Sequence, residues 1–236
     1  MHRKIKNNIR TKWRKINPFK GQKGQDKWVI FTVLPFKRKG FFLDLAAADG
    51  ITHSNSYVLE KLFGWEGICI EPNPVFLKKL RGNRACTIDG SVVSNKHEKV
   101  TFRIDNGQLG GIVAEDTDNS HGVRSDELES AETTTFDALL LNDILEQYSA
   151  PNIIDYFSLD VEGSEERIIS SIDFKKYRFK CITIERPTPK VNEILFDNNY
   201  IFVKNHKNDS FYIHSSLKGS LRIECQQFEQ VPKKDW

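Results

Sequence analysis

Four apolar runs in this chain stop at an acidic residue: "FFLD" at Asp44, "GICIE" at Glu71, "YFSLD" at Asp160 and "CITIE" at Glu185. Two more acids follow closely, Asp49 in "AAADG" and Glu162 in "DVEG". Carboxylates gathered in one place can accept hydrogen bonds from hydroxyl groups, attract a cation or take a proton from a weak acid. They can also ligate a hard divalent metal through oxygen. Which chemistry applies depends on whether the chain brings these run ends together.

The surrounding elements predict that it does. A helix over 24–34, stopped by Pro35, precedes a strand at 41–46 and a helix at 54–63 that ends at Gly64. Ser54 or Asn55 is expected to cap that helix. A strand at 67–71 leads to a helix at 74–81 with Pro74 in its first turn. Strands follow near 85–88 and 99–104, then a helix at 136–147 with Thr135 as its cap. A strand at 153–160 precedes a helix from 164, and a strand at 179–185 precedes a helix near 189–197. "YIFVKN" and "SFYIH", separated by "HKND", read as an antiparallel hairpin. Alternation of strands and helices implies parallel strands with right-handed crossovers. The expected fold is α/β: a doubly wound, mostly parallel sheet with an antiparallel C-terminal hairpin at one edge. In such sheets ligands bind at the carboxyl ends of the strands, where these acids stand.

Glu71 lies about twenty residues beyond Gly50, the place of an acid that accepts from ribose hydroxyls. A nicotinamide dinucleotide would also need a glycine-rich turn to cradle its pyrophosphate, and "DLAAADG" is no such turn. Asp44 and Asp49 would repel that dianion. S-adenosylmethionine fits better, because its sulfonium and ammonium are drawn to carboxylates. Ala46 and Ala47 allow close approach of the backbone, and Gly50 permits a tight exit into the helix. Asp89 and Ser91, after the third strand, are placed to meet the adenine, or else form an ordinary loop.

The segments "QDKWV", "FFLDLAAADG", "SNSYVLEKLFGWEGICIEPNP", "SVVS", "TTTFDALL" and "IDYFSLDVEGSE" occur in that order. Together they resemble the FkbM family of S-adenosylmethionine-dependent methyltransferases across most of residues 24–186. The resemblance implies a Rossmann-like seven-stranded methyltransferase domain over 24–236 and a cofactor site that includes Pro72 and Asn73. It also implies O-methylation of a sugar hydroxyl on a glycan or glycoconjugate. Three positions depart from the family pattern. Ala46 replaces a usual glycine, Ser158 a frequent lysine and Arg186 a common histidine.

A sugar hydroxyl is a very weak acid, so its transfer chemistry needs a base or a metal. Asp160, with Glu162 just after it, is the first candidate base. Alternatively, Asp160 and Glu185 could hold a magnesium or manganese ion. His53, beyond the first turn, is either a second base or a solvated loop histidine, and Glu162 either acts directly or faces a helix dipole. The polar, glycine-bearing stretch 105–131 reads as a lid over the acceptor or a disordered insertion. As a lid, Gly107, Gly110 and Gly111 would lend mobility, and His121 or Arg124 would reach substrate.

Composition bounds the rest. With 39% apolar residues and sixteen Phe, 236 residues build one domain with an appendage. No run is long enough to span a bilayer and no secretory signal is apparent. Four cysteines without paired spacing read as reduced thiols of a cytoplasmic protein. The net charge of +3 is uneven, since residues 1–20 hold eight basic residues and no acid. There Ile5, Ile9, Trp13 and Ile16 share one helical face, so residues 1–23 form a basic amphipathic segment. That segment packs on its own domain or a second subunit, or lies peripherally on an anionic membrane. Nucleic acid is a weaker fit, because the segment lacks aromatic stacking platforms. Two further readings stand beside the sugar methyltransferase: a non-catalytic, membrane-docked cofactor-binding or trafficking protein, and an RNA methyltransferase.

Overall fold

A computed structural model describes residues 18–219 and 223–232. The amphipathic stripe expected at residues 1–17 lies outside the described residues. Residues 18–23, counted above with the basic segment, are folded onto the domain. Phe19 is buried against Phe31, with ring centroids 5.2 Å apart, and the amides of Lys20 and Gly21 donate to Asp26 Oδ2 at 2.8 and 3.0 Å.

Seven strands form the main sheet: β1 (Phe41–Leu45), β2 (Glu66–Ile70), β3 (Thr87–Asp89), β6 (Ile153–Leu159), β7 (Arg178–Glu185), β8 (Tyr200–His206) and β9 (Asp209–His214). Their order is β3-β2-β1-β6-β7-β9-β8. Neighbours pair in parallel from β3 to β7, and β9 runs antiparallel to both β7 and β8. This is the expected mostly parallel sheet with an antiparallel edge hairpin. The order reverses between β1 and β6, which opens a crevice at their carboxyl ends.

Side-chain alternation explains why both faces are covered. Leu43 and Leu45 of β1 join one apolar layer with α5 (Leu141–Gln147), α6 (Glu165–Ser171) and α7 (Pro189–Asp197). Phe42 joins the other layer, with α1 (Gln25–Trp28), the wider helical turn Val29–Val33 that continues it, α2 (Tyr57–Phe63) and α3 (Pro74–Asn83). Asp44 shares the side of Phe42, so an acid is carried into that layer.

A second, two-stranded sheet corrects the sequence reading. Residues 133–138 are not the start of a helix. They form β5 (Thr133–Ala138), antiparallel to β4 (Glu98–Arg103), with Thr135 opposite Thr101. Three consecutive threonines favour strand over helix, and Phe136 packs edge-on against Phe102, centroids 5.7 Å apart. The helix begins only at Leu141. The stretch 105–131 is structured as well, with a short turn at Gly107–Leu109 and helix α4 (His121–Leu128). Strands and helix form a cap over the crevice.

Tight geometry at the exit of the first loop yields a test. Gly50 has φ +77, and a Cβ there would sit 2.5 Å from Leu80 Cδ1 and 2.6 Å from Arg84 Cγ. Gly50→Ala should therefore destabilise the fold by about 2 kcal/mol, read as a lower urea midpoint with unchanged slope. An unaltered midpoint would contradict this packing.

Candidate functional site

The crevice is a cavity of about 380 Å³, within the range of small-ligand sites. One end is built by the loop after β1. Ala46 and Ala48 both adopt left-handed backbone, φ 58 and 46, where a side chain costs about 1 kcal/mol or more each. Glu71 helps hold Ala48 there. Its Oε2 accepts the Ala48 N–H at 2.8 Å and its Oε1 accepts the Asn73 N–H at 2.8 Å. Burial raises the Glu71 pKa to about 7, with Asp44 adding to the effect. Each oxygen keeps a lone pair for a hydroxyl donor.

Asp44 is anchored from behind. Its Oδ2 accepts from Ser56 Oγ at 2.5 Å, and Arg84 Nη2 donates to the same Ser56 Oγ at 3.0 Å. Arg84 also donates to Gly50 O and Ser54 Oγ, and pairs with Glu60 at 2.6 Å. Burial raises the Asp44 pKa, against the pull of Ser56 and Arg84.

Of the residues expected to bind cofactor, Asp44, Ala46, Ala47, Glu71, Pro72, Asn73 and Ser91 line the cavity. Asn73 also caps α3, accepting from the Val75 N–H at 3.0 Å. Asp49, Gly50 and Asp89 are not among the lining residues. Asp49 closes its own turn, accepting from the amides of Ile51 and Thr52 and from Thr52 Oγ1. Asp89 accepts from the Ser91 N–H at 2.7 Å and from Tyr148 OH at 2.9 Å. Those bonds turn both carboxylates toward protein partners.

The other end of the cavity is a carboxylate cluster. Asp160, Glu162 and Glu185 each offer an oxygen within 4.8 Å of the others. Burial and the neighbouring Glu185 push Asp160 well above the usual carboxylate range, and the two share a hydrogen bond. Burial opposes ionisation of Glu185, but Asp160, Arg186 and Lys23 together draw its pKa down. Glu162 is raised to about 7 by burial and by Glu185. Lys23 Nζ lies 2.7 Å from Asp209 Oδ1 and 3.5 Å from Glu185 Oε1. Arg186 Nη2 lies 3.1 Å from Glu185 Oε2 and 3.4 Å from Glu162 Oε2, and also binds Asp118. Three carboxylates are a donor set that a hard divalent cation accepts. Their inward oxygens, however, already face an ammonium, a guanidinium and one another, so the arrangement does not fit an added ion.

His53 is at the mouth, with Nδ1 3.3 Å from Gln108 Oε1 of the cap. Ser54, not Asn55, serves the start of α2, accepting from the Tyr57 N–H at 3.1 Å. Asn55 instead reaches Ser158 Oγ at 3.0 Å across the cavity wall. Gly107, Gly110 and Gly111 line the cavity. Arg124 lies 3.9 Å from Glu162 and His121 is exposed, away from the lining.

Sequence reasoning missed Lys23, Gln25, Asn55, Gln108 and Asn208, all of which line the cavity. One signal was available. The hairpin register places Asp209 opposite Glu185, which brings the turn at Asn208 to the acidic rim.

A family model described as Methyltransferase FkbM domain matches residues 44–208. The chain belongs to the FkbM methyltransferase family. The match begins at Asp44 and ends at Asn208, so it contains both ends of the cavity but not Lys23. Comparison with the curated proteins finds no significant match. Among solved structures, it is similar to a precorrin-6y C5,15-methyltransferase from Geobacter metallireducens, at 14% identity and TM-score 0.43 over 80% of this chain and 86% of that one. It is also similar to an FkbM methyltransferase from Methylobacillus flagellatus, at 14% identity and TM-score 0.47 over 80% of this chain and 50% of that one. A third is TrmK from M. capricolum in complex with S-adenosylhomocysteine, at 10% identity and TM-score 0.37 over 80% and 66%. Of the three departures from the FkbM pattern, Ala46 bears a left-handed φ that glycine would adopt at less cost.

Glu71 supplies a pH test. A hydroxyl donor binds the ionised carboxylate, and the group ionises near pH 7. Affinity for S-adenosylhomocysteine, measured by calorimetry, should therefore rise from pH 6 to pH 8. Glu71→Gln should bind more weakly and show no such rise. A pH-independent wild-type affinity would dismiss Glu71 as the ribose acceptor.

Proposed function

We propose that the protein transfers a methyl group from S-adenosylmethionine to a hydroxyl of a sugar in a glycan or glycoconjugate. The observation that carries this reading is the two-ended acidic cavity. Glu71 and Asp44 lie at one end, the Asp160–Glu162–Glu185 cluster at the other, and among the described residues no cationic cradle for phosphate lies between them. In this reading Glu71 accepts from the ribose hydroxyls, and the walls near Ala46, Ala47 and Ser91 hold the adenosine. The cationic sulfonium end points toward the acids.

The acceptor enters beside the cap. Gln22, Thr52 and Gln108 line the cavity. Neutral amides and a hydroxyl suit a neutral polyhydroxy molecule, since each offers donors or acceptors without a charge. The acidic walls disfavour a phosphodiester backbone, which weakens an RNA acceptor.

The acceptor oxygen attacks the methyl carbon in line with the C–S bond. That bond breaks, its electron pair stays on sulfur, and S-adenosylhomocysteine leaves. The hydroxyl proton passes to the carboxylate cluster. Asp160 is the group placed to take it, because ending β6 sets it on the rim between Ser158 and Glu162. A neighbouring cationic sulfonium favours the ionised form of Asp160 and so readies it as a base. His53 is farther out, on the mouth side. Positioning does most of the remaining work.

Turnover is tested with methyl-labelled cofactor and a panel of methyl glycosides, read by mass spectrometry. Asp160→Asn should lower transfer by roughly 100-fold or more and leave S-adenosylhomocysteine affinity nearly unchanged. Full activity in that variant would remove Asp160 as the base. Absence of cofactor binding by the wild type would sink the whole reading.

A further inference from the structure

The carboxylate cluster has the outline of a metal site, yet two side chains fill its charge requirement. Lys23 Nζ approaches from the segment before α1, with Asp209 Oδ1 at 2.7 Å and Glu185 Oε1 at 3.5 Å, and donates to Asn208 Oδ1 as well. Arg186 approaches from the end of β7 and touches Glu185 and Glu162 through one nitrogen, at 3.1 and 3.4 Å. Both side chains are nearly buried, 9% and 15% exposed, so solvent does little to weaken these pairs.

Neither cation is free to swing away. Arg186 is held by Asp118 of the cap, and its own N–H donates to Asn208 O at 2.7 Å. Lys23 sits on a strap fixed from two directions. Its N–H donates to Gln25 Oε1 at 2.9 Å, and Gln25 Nε2 donates to Asp209 Oδ2 at 2.5 Å. The lone pairs of Glu185 are also occupied, since Asn208 Nδ2 donates to Oε1 at 2.6 Å. A magnesium or manganese ion would need several of these oxygens bare and close to octahedral. One ammonium and one guanidinium carry the same total charge as one such ion.

We propose that Lys23 and Arg186 stand in place of a divalent cation in this site, neutralising its carboxylates so that no metal is required. This deepens the methyl-transfer reading and rests on it for the identity of the acceptor. Carboxylates already held by fixed cations can receive the hydroxyl proton without reorganising. Lys23 and Arg186 are positioning residues in this account. They hold the three carboxylates apart from one another in charge, and they fasten both the strap and the cap to the reacting end.

The test uses the full chain and manganese ion alone, followed by electron paramagnetic resonance. Wild-type protein should show no stoichiometric manganese binding. Lys23→Met and Arg186→Met should each gain one manganese site, at least about tenfold tighter, because each unmasks carboxylates that have lost their partner. Adding Glu185→Gln to either variant should abolish the gain. Thermal melting with and without manganese checks folding, and only the single variants should be stabilised by the ion. If Arg186→Met does not fold, Lys23→Met carries the test.

Stoichiometric binding by the wild type, lost in Glu185→Gln, would overturn the proposal. So would failure of every folded variant to gain a site, since the two cations would then not be what excludes the ion. S-adenosylhomocysteine binding is measured separately on the wild type. Its absence would remove the methyl-transfer reading while leaving the manganese comparison interpretable.

Discussion

One carboxylate organises this molecule's cavity. Glu71 ends β2 and spends an oxygen on each of two backbone amides, Ala48 from the loop after β1 and Asn73 from the start of α3. Two adjacent crossovers are thus pinned to one buried group. It helps hold the left-handed Ala48, which is strained relative to glycine, beside the backbone bonds from Ala47 N–H to Ile70 O and from Gly50 N–H to Ala47 O. The arrangement leaves a carboxylate buried with only neutral donors, which is why its pKa climbs to about 7. A ligand bearing hydroxyls and a positive charge relieves that burden. A second anion would worsen it. Shape and charge therefore select in the same direction.

The opposite end of the cavity solves a different problem. Three acids close together repel one another, and burial in low dielectric increases the cost. Here the repulsion is offset by a shared hydrogen bond between Asp160 and Glu185 and by cations from two other parts of the chain. Those cations come with structure attached. Lys23 brings the strap before α1 against the rim, and Arg186 brings Asp118 and the cap. Enclosure of the acidic end and neutralisation of its charge therefore share the same contacts. The cap has a small apolar core of its own around Val100, Phe102 and Ile112. It is a folded unit held by ion pairs and by neutral bonds such as Asp118 N–H to Glu162 O, where the sequence left a lid and a disordered insertion both open.

Much of the architecture could be read before any coordinates. Apolar runs such as "FFLD" and "ICIE" are covered on both faces, and each ends in an acid at the rim. Parallel strands align those ends automatically, so the grouping of Asp44, Glu71, Asp160 and Glu185 followed from topology. What stayed hidden depended on partners distant in sequence. Asp49 and Asp89 have the residue type of cofactor ligands, but neighbouring amides and Tyr148 claim them. Residues 135–138 carry the signal of a helix start, because cap-forming Thr135 precedes an apolar stretch. Their pairing with β4, 30 or so residues earlier, decides otherwise. Lys23 was grouped with the basic head by composition, although its ammonium reaches a rim built by β7 and β9.

The departures from the family pattern now acquire a common location. Ala46, Ser158 and Arg186 all border the cavity or its acidic end. A lysine at 158 would add a positive charge beside Asp44 and Asn55. The serine instead accepts a neutral hydrogen bond from Asn55 Nδ2 at 3.0 Å. A histidine at 186 would have a shorter reach and a charge that depends on pH. The arginine keeps its charge at any physiological pH and spans three acids from three elements. The cationic charge at this end thus comes from Lys23 and a permanent guanidinium, while the wall beside the first loop is left neutral. The sheet carries both ends of the cavity, and Ser158 and Arg186 set the contrast between them: a neutral wall beside Asp44 and a fixed guanidinium among the acids.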